Sequence, residues 1–463
     1  MHAAEHKMTA TERKAVFSLS AIMGLRMVGL FMVLPLFSLY AHQLVGATAT
    51  LIGVAMGVYG LAQALFQIPF GYLSDKVGRK PIILMGLLIF CLGSLVAGHA
   101  THMVPMIIGR ALQGIGAVGS TILAMMADLT RESQRTKSMA IAGITIGFSF
   151  SVAMFLGPVL SQWISINHLF YLAAGFGLIG ILVLYFSVPT PATESWHRDA
   201  EPEFKSFFQL IFHPELAKLN IGILILHAIF TASFVVIPIS LKNNLGFAAH
   251  DQWEIYLPTL LGSFIISLFC IGMAERKGQL KPYFIGGIAA LLAAALLMCY
   301  FPANLSLMIL GLSAFFGGFS LMEAFLPSLI SRTAPADRKG SAMGVYSCSQ
   351  FLGIFMGGVL GGWLYGKFSF SGVYLFCAAL SLFWLVIACA MQAPRTLVTQ
   401  IIRLSDAPRA KWSDWATACR AMPGMVEVIV VEEDGLAYLK MERSASRHPD
   451  FLHLKESLNN LGA

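Results

Sequence analysis

The chain has 463 residues, of which 57% are hydrophobic and only 12% charged, with a mean hydropathy of +0.73. That leaves too little polar surface to coat a soluble globule of this length, so the bilayer must be its solvent. The net charge of +7 is scattered singly among short loops, with no basic helix or run, which excludes nucleic acid as the expected partner.

Apolar stretches close to the roughly 20 residues needed to cross the hydrocarbon recur along most of the chain. Twelve spans are predicted, at approximately 16–42, 51–73, 82–99, 104–128, 139–164, 168–189, 217–241, 254–273, 283–301, 304–331, 341–367 and 369–391. None alternates with the period of a barrel strand, so all should be helices that satisfy their own backbone. The polar N-terminus runs straight into span 1, which should serve as its own insertion signal rather than be cleaved. Cations follow every second loop: Lys7, Arg13 and Lys14; Lys76, Arg79 and Lys80; Arg131, Arg135 and Lys137; Arg198, Lys205 and Lys218; Arg276, Lys277 and Lys281; Arg332, Arg338 and Lys339. The intervening loops hold only Lys242 and Lys367, so positive-inside bias places both termini in the cytoplasm.

Between spans 6 and 7 a polar stretch, with Pro189, Pro191, Glu194, His197, Arg198, Asp199, Glu201, Pro202 and Glu203, divides the bundle. Arg135 to Ala140 leads into glycine-rich span 5, and the similar Arg338 to Met343 leads into glycine-rich span 11. The expected organisation is a six-helix bundle over 1–190, a cytoplasmic linker over 191–216, a second six-helix bundle over 217–393 and a soluble domain over 394–463. That last segment predicts a strand at 397–404, a helix at 408–420, a hairpin of strands at 425–432 and 436–442 across Asp434-Gly435, and a helix at 449–461. The order βαββα is close to a small α+β ferredoxin-like fold with its last strand missing or nearly so. Cys91, Cys270, Cys299, Cys348, Cys377, Cys389 and Cys419 show no Cys-x-x-Cys spacing, so neither a metal site nor any other cofactor is expected.

The loop Gly71-Tyr72-Leu73-Ser74-Asp75-Lys76-Val77-Gly78-Arg79-Lys80-Pro81 packs its charges into a turn between two spans. It resembles the signature between helices 2 and 3 of the major facilitator superfamily. The resemblance covers the whole membrane part and implies an all-α integral membrane protein of twelve transmembrane helices in two bundles, moving small molecules by alternating access. It implies a conformational latch: Gly71 would let span 2 approach span 11 closely at Gly340, Ser341, Ala342 and Gly344, with Asp75, Gly78, Arg79, Lys80 and Asp128 holding the outward-facing state. Arg110-Ala-Leu-Gln113-Gly114 in span 4 is similar to the family's second motif, which implies a part in proton coupling for Arg110; the plainer reading has this side chain snorkel to the headgroups. Gly157-Pro158 in span 5 partly matches the family's antiporter motif, with Ala153, Ser161 and Gln162 departing from it. In span 1, Gly29 and Pro35 fit a further motif of twelve-helix drug antiporters, and Ser38 replaces its second Pro.

Arg26 in span 1, His227 in span 7 and Glu323 in span 10 are the main charged or titratable groups inside the spans, and in this superfamily spans 1, 4, 7 and 10 line the cavity. An ionised carboxylate inside lipid is costly, which makes Glu323 a candidate proton carrier, with His227 its rival and a structural ion pair between Glu323 and a cation such as Arg26 the alternative. Tyr59, Gln63, Gln113, Gly157, Pro158 and Arg26 are expected at the cavity, with Phe31, Met32, Phe66, Gln67, Phe230 and Tyr346, in an arrangement suited to amphipathic cations. The functional expectation is a proton-coupled efflux antiporter in a bacterial inner membrane; an uptake symporter, or a transceptor signalling through its C-terminal domain to a cytoplasmic partner, are the alternatives. No Ser/His dyad or phosphate-binding loop suggests an enzyme.

Overall fold

A computed structural model describes residues 8–116, 118–189, 209–335, 338–391, 397–404, 412–431 and 435–442, together with 449 and 451. Most of the predicted linker, with Arg198 and Lys205, lies outside the described residues. So do the start of the predicted 408–420 helix, Asp434 and nearly all of the helix predicted at 449–461.

The first crossing is made by α1 (Ala10–Phe31) and α2 (Leu34–Ala41), broken at Met32 and Val33. Pro35 sits in the first turn of α2, where its missing N–H costs nothing and the preceding helix cannot run on through it. Then follow α3 (Ala49–Val77), α4 (Arg79–His99), α5 (Met103–Ile115) with α6 (Gly119–Asp128), α7 (Glu132–Leu160) and α8 (Ile166–Phe186). The second set is α9 (Pro214–Leu245), α10 (Trp253–Lys277), α11 (Leu280–Tyr300), α12 (Leu305–Thr333) and α13 (Lys339–Ala390). Among the described residues, 11 helical segments are long and apolar enough to cross a membrane. The last, α13, runs 52 residues and is broken at Ser369 (φ 60°, ψ −158°), so it makes the eleventh and twelfth predicted crossings.

Antiparallel succession collects Lys76, Arg79, Lys80, Arg131, Lys218, Arg276, Lys277, Lys281, Arg332 and Arg338 at one end of the bundle, the basic end. There Thr9 and Glu12 form a capping box at the start of α1, and Glu12 also grips Arg131 of the α6–α7 turn at 2.8 Å from its Nε. Two lysines display the internal repeat. Lys80, second residue of α4, donates to the Val188 carbonyl beyond α8 at 2.5 Å. Lys281, second residue of α11, donates to the Met391 and Cys389 carbonyls at the end of α13 at 2.6 and 2.9 Å. Each is followed by a proline, and each neutralises the negative end of the last helix of its set.

The small domain is a three-stranded antiparallel sheet, order β1-β3-β2, from β1 (Leu397–Arg403), β2 (Met425–Val431) and β3 (Leu436–Glu442), with α14 (Trp412–Arg420) packed on it. Ala437, Leu439 and Met441 alternate into the core of β3, while Trp412, Trp415, Ala416 and Cys419 form the helical stripe that covers them. Burial pushes the Cys419 thiol up to about 11. Cys419 is therefore expected to resist maleimide at neutral pH in the native protein, while exposed Cys389 reacts. Mass spectrometry after labelling checks this, and modification of Cys419 without denaturant would show that the domain opens.

Candidate functional site

At the basic end, Gly78 is the single residue between α3 and α4, with φ 100°, a backbone state open to glycine and strained for other residues. The turn it makes brings Arg79 back onto Asp75, one helical turn earlier. Arg79 pairs with Asp75, and its Nε reaches Asp128 Oδ2 at the end of α6 at 3.1 Å. Its Nη1 donates to Ser74 Oγ at 2.7 Å. Asp75, Arg79 and Asp128 are thus one cluster tying α3, α4 and α6 together.

The close approach expected at Gly71 is made elsewhere. A methyl group placed on Gly71 or Gly340 would meet nothing within 4 Å. On the far half of the same two helices, α3 and α13 interlock backbone to backbone: a Cβ on Gly53 would run into the Gly358 carbonyl, one on Gly57 would lie 2.8 Å from the Phe355 carbonyl, and one on Gly60 2.7 Å from that of Phe351. Gly358 and Gly362 return the contact on Gly53 and Ala49. These helices are therefore closed on one another at the far end, while neither Gly71 nor Gly340 is used for close packing in this structure. The four-residue spacings Gly53-Gly57 and Gly358-Gly362 carried this signal, although the family motif drew attention to Gly71 instead. Gly353 and Gly357 press the other face of α13 onto the Leu224 and Ala228 carbonyls of α9.

Midway along the bundle, α9, α12 and α13 bring His227, Glu323 and Gln350 together. His227 Nδ1 lies 3.3 Å from the Ile223 carbonyl, which can only accept, so Nδ1 carries the hydrogen. Nε2 then offers its lone pair, which accepts from the Gln350 amide nitrogen at 2.9 Å. The same Nε2 is 3.4 Å from Glu323 Oε1, an oxygen buried with no other partner. Nε2 has one lone pair, so the Gln350 N–H and a protonated Glu323 carboxyl compete for it, and Gln350 and Glu323 both depend on where the His227 hydrogens sit. The Glu323 side chain is 34% exposed against 8% for His227, so part of the carboxylate side chain is open while the imidazole is walled in. Phe230 and Phe319 flank the imidazole, at ring-centroid distances of 6.4 and 5.6 Å. Gln350 was missed in the sequence, where a lone glutamine in a glycine-rich span carries no motif.

The first six crossings hold two buried arginines. Arg110 of α5 donates to the Ala55 carbonyl at 3.3 Å and to Gln113 Oε1 at 2.8 Å, and lies over Tyr59 at 4.7 Å. Gln113 in turn donates to Ser94 at 2.8 Å. Arg110 does not snorkel: it is 3% exposed and knots α3, α4 and α5 together. Arg26 of α1 has only a 3.5 Å contact from Nη2 to Gln63 Oε1 and the Phe90 ring at 5.7 Å; its Nε has no acceptor. Glu323 faces His227 rather than Arg26.

Of the residues expected at the cavity, Tyr59, Gln63, Gln113, Gly157 and Pro158 are all buried in this state. Gly157 serves helix packing, since a Cβ there would strike the Met32 carbonyl, left free at the break between α1 and α2. Among the described residues no group of His, Cys, Asp and Glu is arranged to hold a metal ion.

Known proteins share this architecture. The family model of the Major Facilitator Superfamily matches residues 19–274 and 219–422. The inner membrane transport protein YajR of Escherichia coli (strain K12) is 40% identical over 440 residues, covering 95% of this chain and 96% of that protein. The class H tetracycline resistance protein of Pasteurella multocida is 29% identical over 193 residues, 41% of this chain and 48% of that one. The crystal structure of the nucleoside transporter NupG superimposes with a TM-score of 0.65 at 17% identity, covering 82% of this chain and 99% of that one.

Proposed function

Because the chain belongs to the major facilitator superfamily, as a multi-pass membrane transporter of small molecules and not an enzyme, we propose that it is a proton-coupled antiporter exporting small amphipathic compounds across a bacterial inner membrane. The basic end and both termini lie in the cytoplasm on this reading, in keeping with the loop cations. The observation that carries it is the His227–Glu323 pair: two titratable groups 3.4 Å apart in the middle of the bundle, placed where a proton can be bound and released. Alternating access then exposes the pair to one side at a time, and the proton taken up on one side leaves on the other. Support for export comes from Gly157-Pro158 and from the likeness to a tetracycline resistance protein.

Purified protein in vesicles with an internal pH dye tests the proposal. Under an imposed proton gradient, a panel of amphipathic acids, cations and neutral compounds should include some that move protons opposite to themselves. Movement in the same direction would make it a symporter, and silence across the panel in folded protein would move the function to sensing through the C-terminal domain.

The latch is part of the same proposal: with the basic end closed, Asp75, Arg79 and Asp128 face the start of span 11 and hold the outward-facing state. Asp75 and Arg79 are 30% and 21% exposed, so their pairing contributes at most about 1 kcal/mol to stability. Asp75→Asn is therefore expected to insert and fold normally while turning over about tenfold or more slowly, the effect of ~1.4 kcal/mol placed on one state of the cycle. Flux measured at matched expression checks it; wild-type rates would remove the latch assignment.

A further inference from the structure

We infer that the Arg26 guanidinium, with Gln63 beside it, is the anion-binding end of the substrate site, so that the transported compound carries a carboxylate or a like singly charged acid group. This rests on the transporter reading above and departs from the cationic substrates that the aromatic content of the sequence suggests.

A buried guanidinium carries five N–H donors and a charge that proteins do not remove, and burying either without partners is costly. Arg110 shows how this fold meets the requirement, with a backbone carbonyl, a glutamine oxygen and an aromatic face. Arg26 is buried as deeply, at 2% exposure, yet it makes one long hydrogen bond, leaves Nε without an acceptor and has no carboxylate among the described residues. A guanidinium whose Nε has no acceptor and whose Nη2 has only a long one matches a carboxylate, which takes two parallel N–H bonds and cancels the charge.

Placement supports a binding role. At 1.5 Å per residue, Arg26 lies about 24 Å along α1 from Ala10, Gln63 about 21 Å along α3 from Ala49, and His227 about 20 Å along α9 from Pro214. All three therefore fall in the central layer of the bundle, the cation in the first six crossings and the proton pair in the second six. An amphipathic acid spanning the two would place its charge on Arg26 and its apolar body toward Phe230 and Phe319, the rings that flank His227. Gln63 sits on α3, which packs against α13 of the second set, so a rocking of the two sets changes the surroundings of Arg26 and opens a path for the ligand.

The test is binding, read as a shift in melting temperature by intrinsic tryptophan fluorescence at one pH on both sides. Benzoate, salicylate, 1-naphthoate and octanoate are compared with their neutral amides, with tetraphenylphosphonium and with sodium chloride. At least one carboxylate should stabilise the wild type and its amide should not; Arg26→Gln should weaken that binding about tenfold or more, and Arg26→Lys less. Gln63→Glu provides a second route if Arg26→Gln fails to fold: an internal carboxylate beside Arg26 should raise the melting temperature and abolish carboxylate binding. No shift with any acid, an equal shift with the amides, a shift that survives both substitutions, or the same shift with chloride alone would overturn the inference. Failure of the two readings is distinguishable. Carboxylate binding without proton movement in vesicles would retire the proton-coupled reading alone, and proton movement driven only by cations or neutral compounds would retire the anion site alone.

Discussion

Glu323→Gln is expected to abolish proton movement and flatten the pH dependence of transport while leaving exchange of substrate for substrate intact. The amide has the size of the protonated acid and cannot release a proton, so the His227–Glu323 pair loses the state in which a proton has left. The sign follows from the orientation proposed above. In the wild type, acid on the outer side loads the pair and drives export, while acid on the cytoplasmic side hinders release and slows it. The variant should respond to neither. For one proton exchanged per cycle, a pH difference of about one unit sustains about a tenfold substrate ratio in the wild type, and the variant should settle near a ratio of about one. His227→Gln keeps the carboxyl but removes the partner 3.4 Å away and the acceptor for Gln350, so it should displace the pH profile rather than erase it. Vesicle flux at a series of imposed gradients measures both. An unchanged slope in Glu323→Gln would move the proton site to His227 or another group.

The crossings were legible because hydrophobic length alone defines them, and even the boundary between the last two was visible as the short interruption beside Lys367 that the structure realises at Ser369. The small domain was legible for a different reason: Asp434-Gly435 marks the turn of a hairpin and Pro423-Gly424 the stop of a helix, and the structure adds which residues face the core, Ala437, Leu439 and Met441 from the strand and Trp412, Trp415 and Cys419 from the helix. Breaks inside crossings were harder to read. Pro35 stood out as part of a motif, yet nothing in the apolar run around Met32 and Val33 announced that α1 would end there with its carbonyl against Gly157. The polar site divides in the same way. His227 and Glu323 were visible as titratable groups in lipid, whereas their pairing, and the place of Gln350, depend on how three helices are rotated about their axes. The loop from Gly71 to Pro81 illustrates a further limit: a protein that alternates between states encodes the contacts of both, and one structure displays one set. Gly71 and Gly340 stand free here, while Gly53, Gly57 and Gly60 are engaged.

Cysteines at positions 49 and 366, in a background with the native cysteines replaced, are expected to form a disulfide on oxidation and to stop transport until it is reduced. A Cβ on Gly366 would lie 3.2 Å from that of Ala49, close to the roughly 3.5–4.5 Å that a disulfide spans, so a shift of a few tenths of an ångström lets the bond form. The two residues belong to the far end of the α3–α13 interface, where Gly53, Gly358 and Gly362 press backbone on backbone. Opening to the far side must separate this end, because the glycine interlock leaves no passage beside it, and a covalent bond across it removes the outward-open state from the cycle. Oxidised Ala49→Cys/Gly366→Cys protein should therefore fall to background flux, return to the rate of its cysteine-replaced parent after reduction, and leave each single variant active. Undiminished flux through quantitatively cross-linked protein would show that this interface does not part during transport, and the rocking of the two sets of helices would then need another hinge.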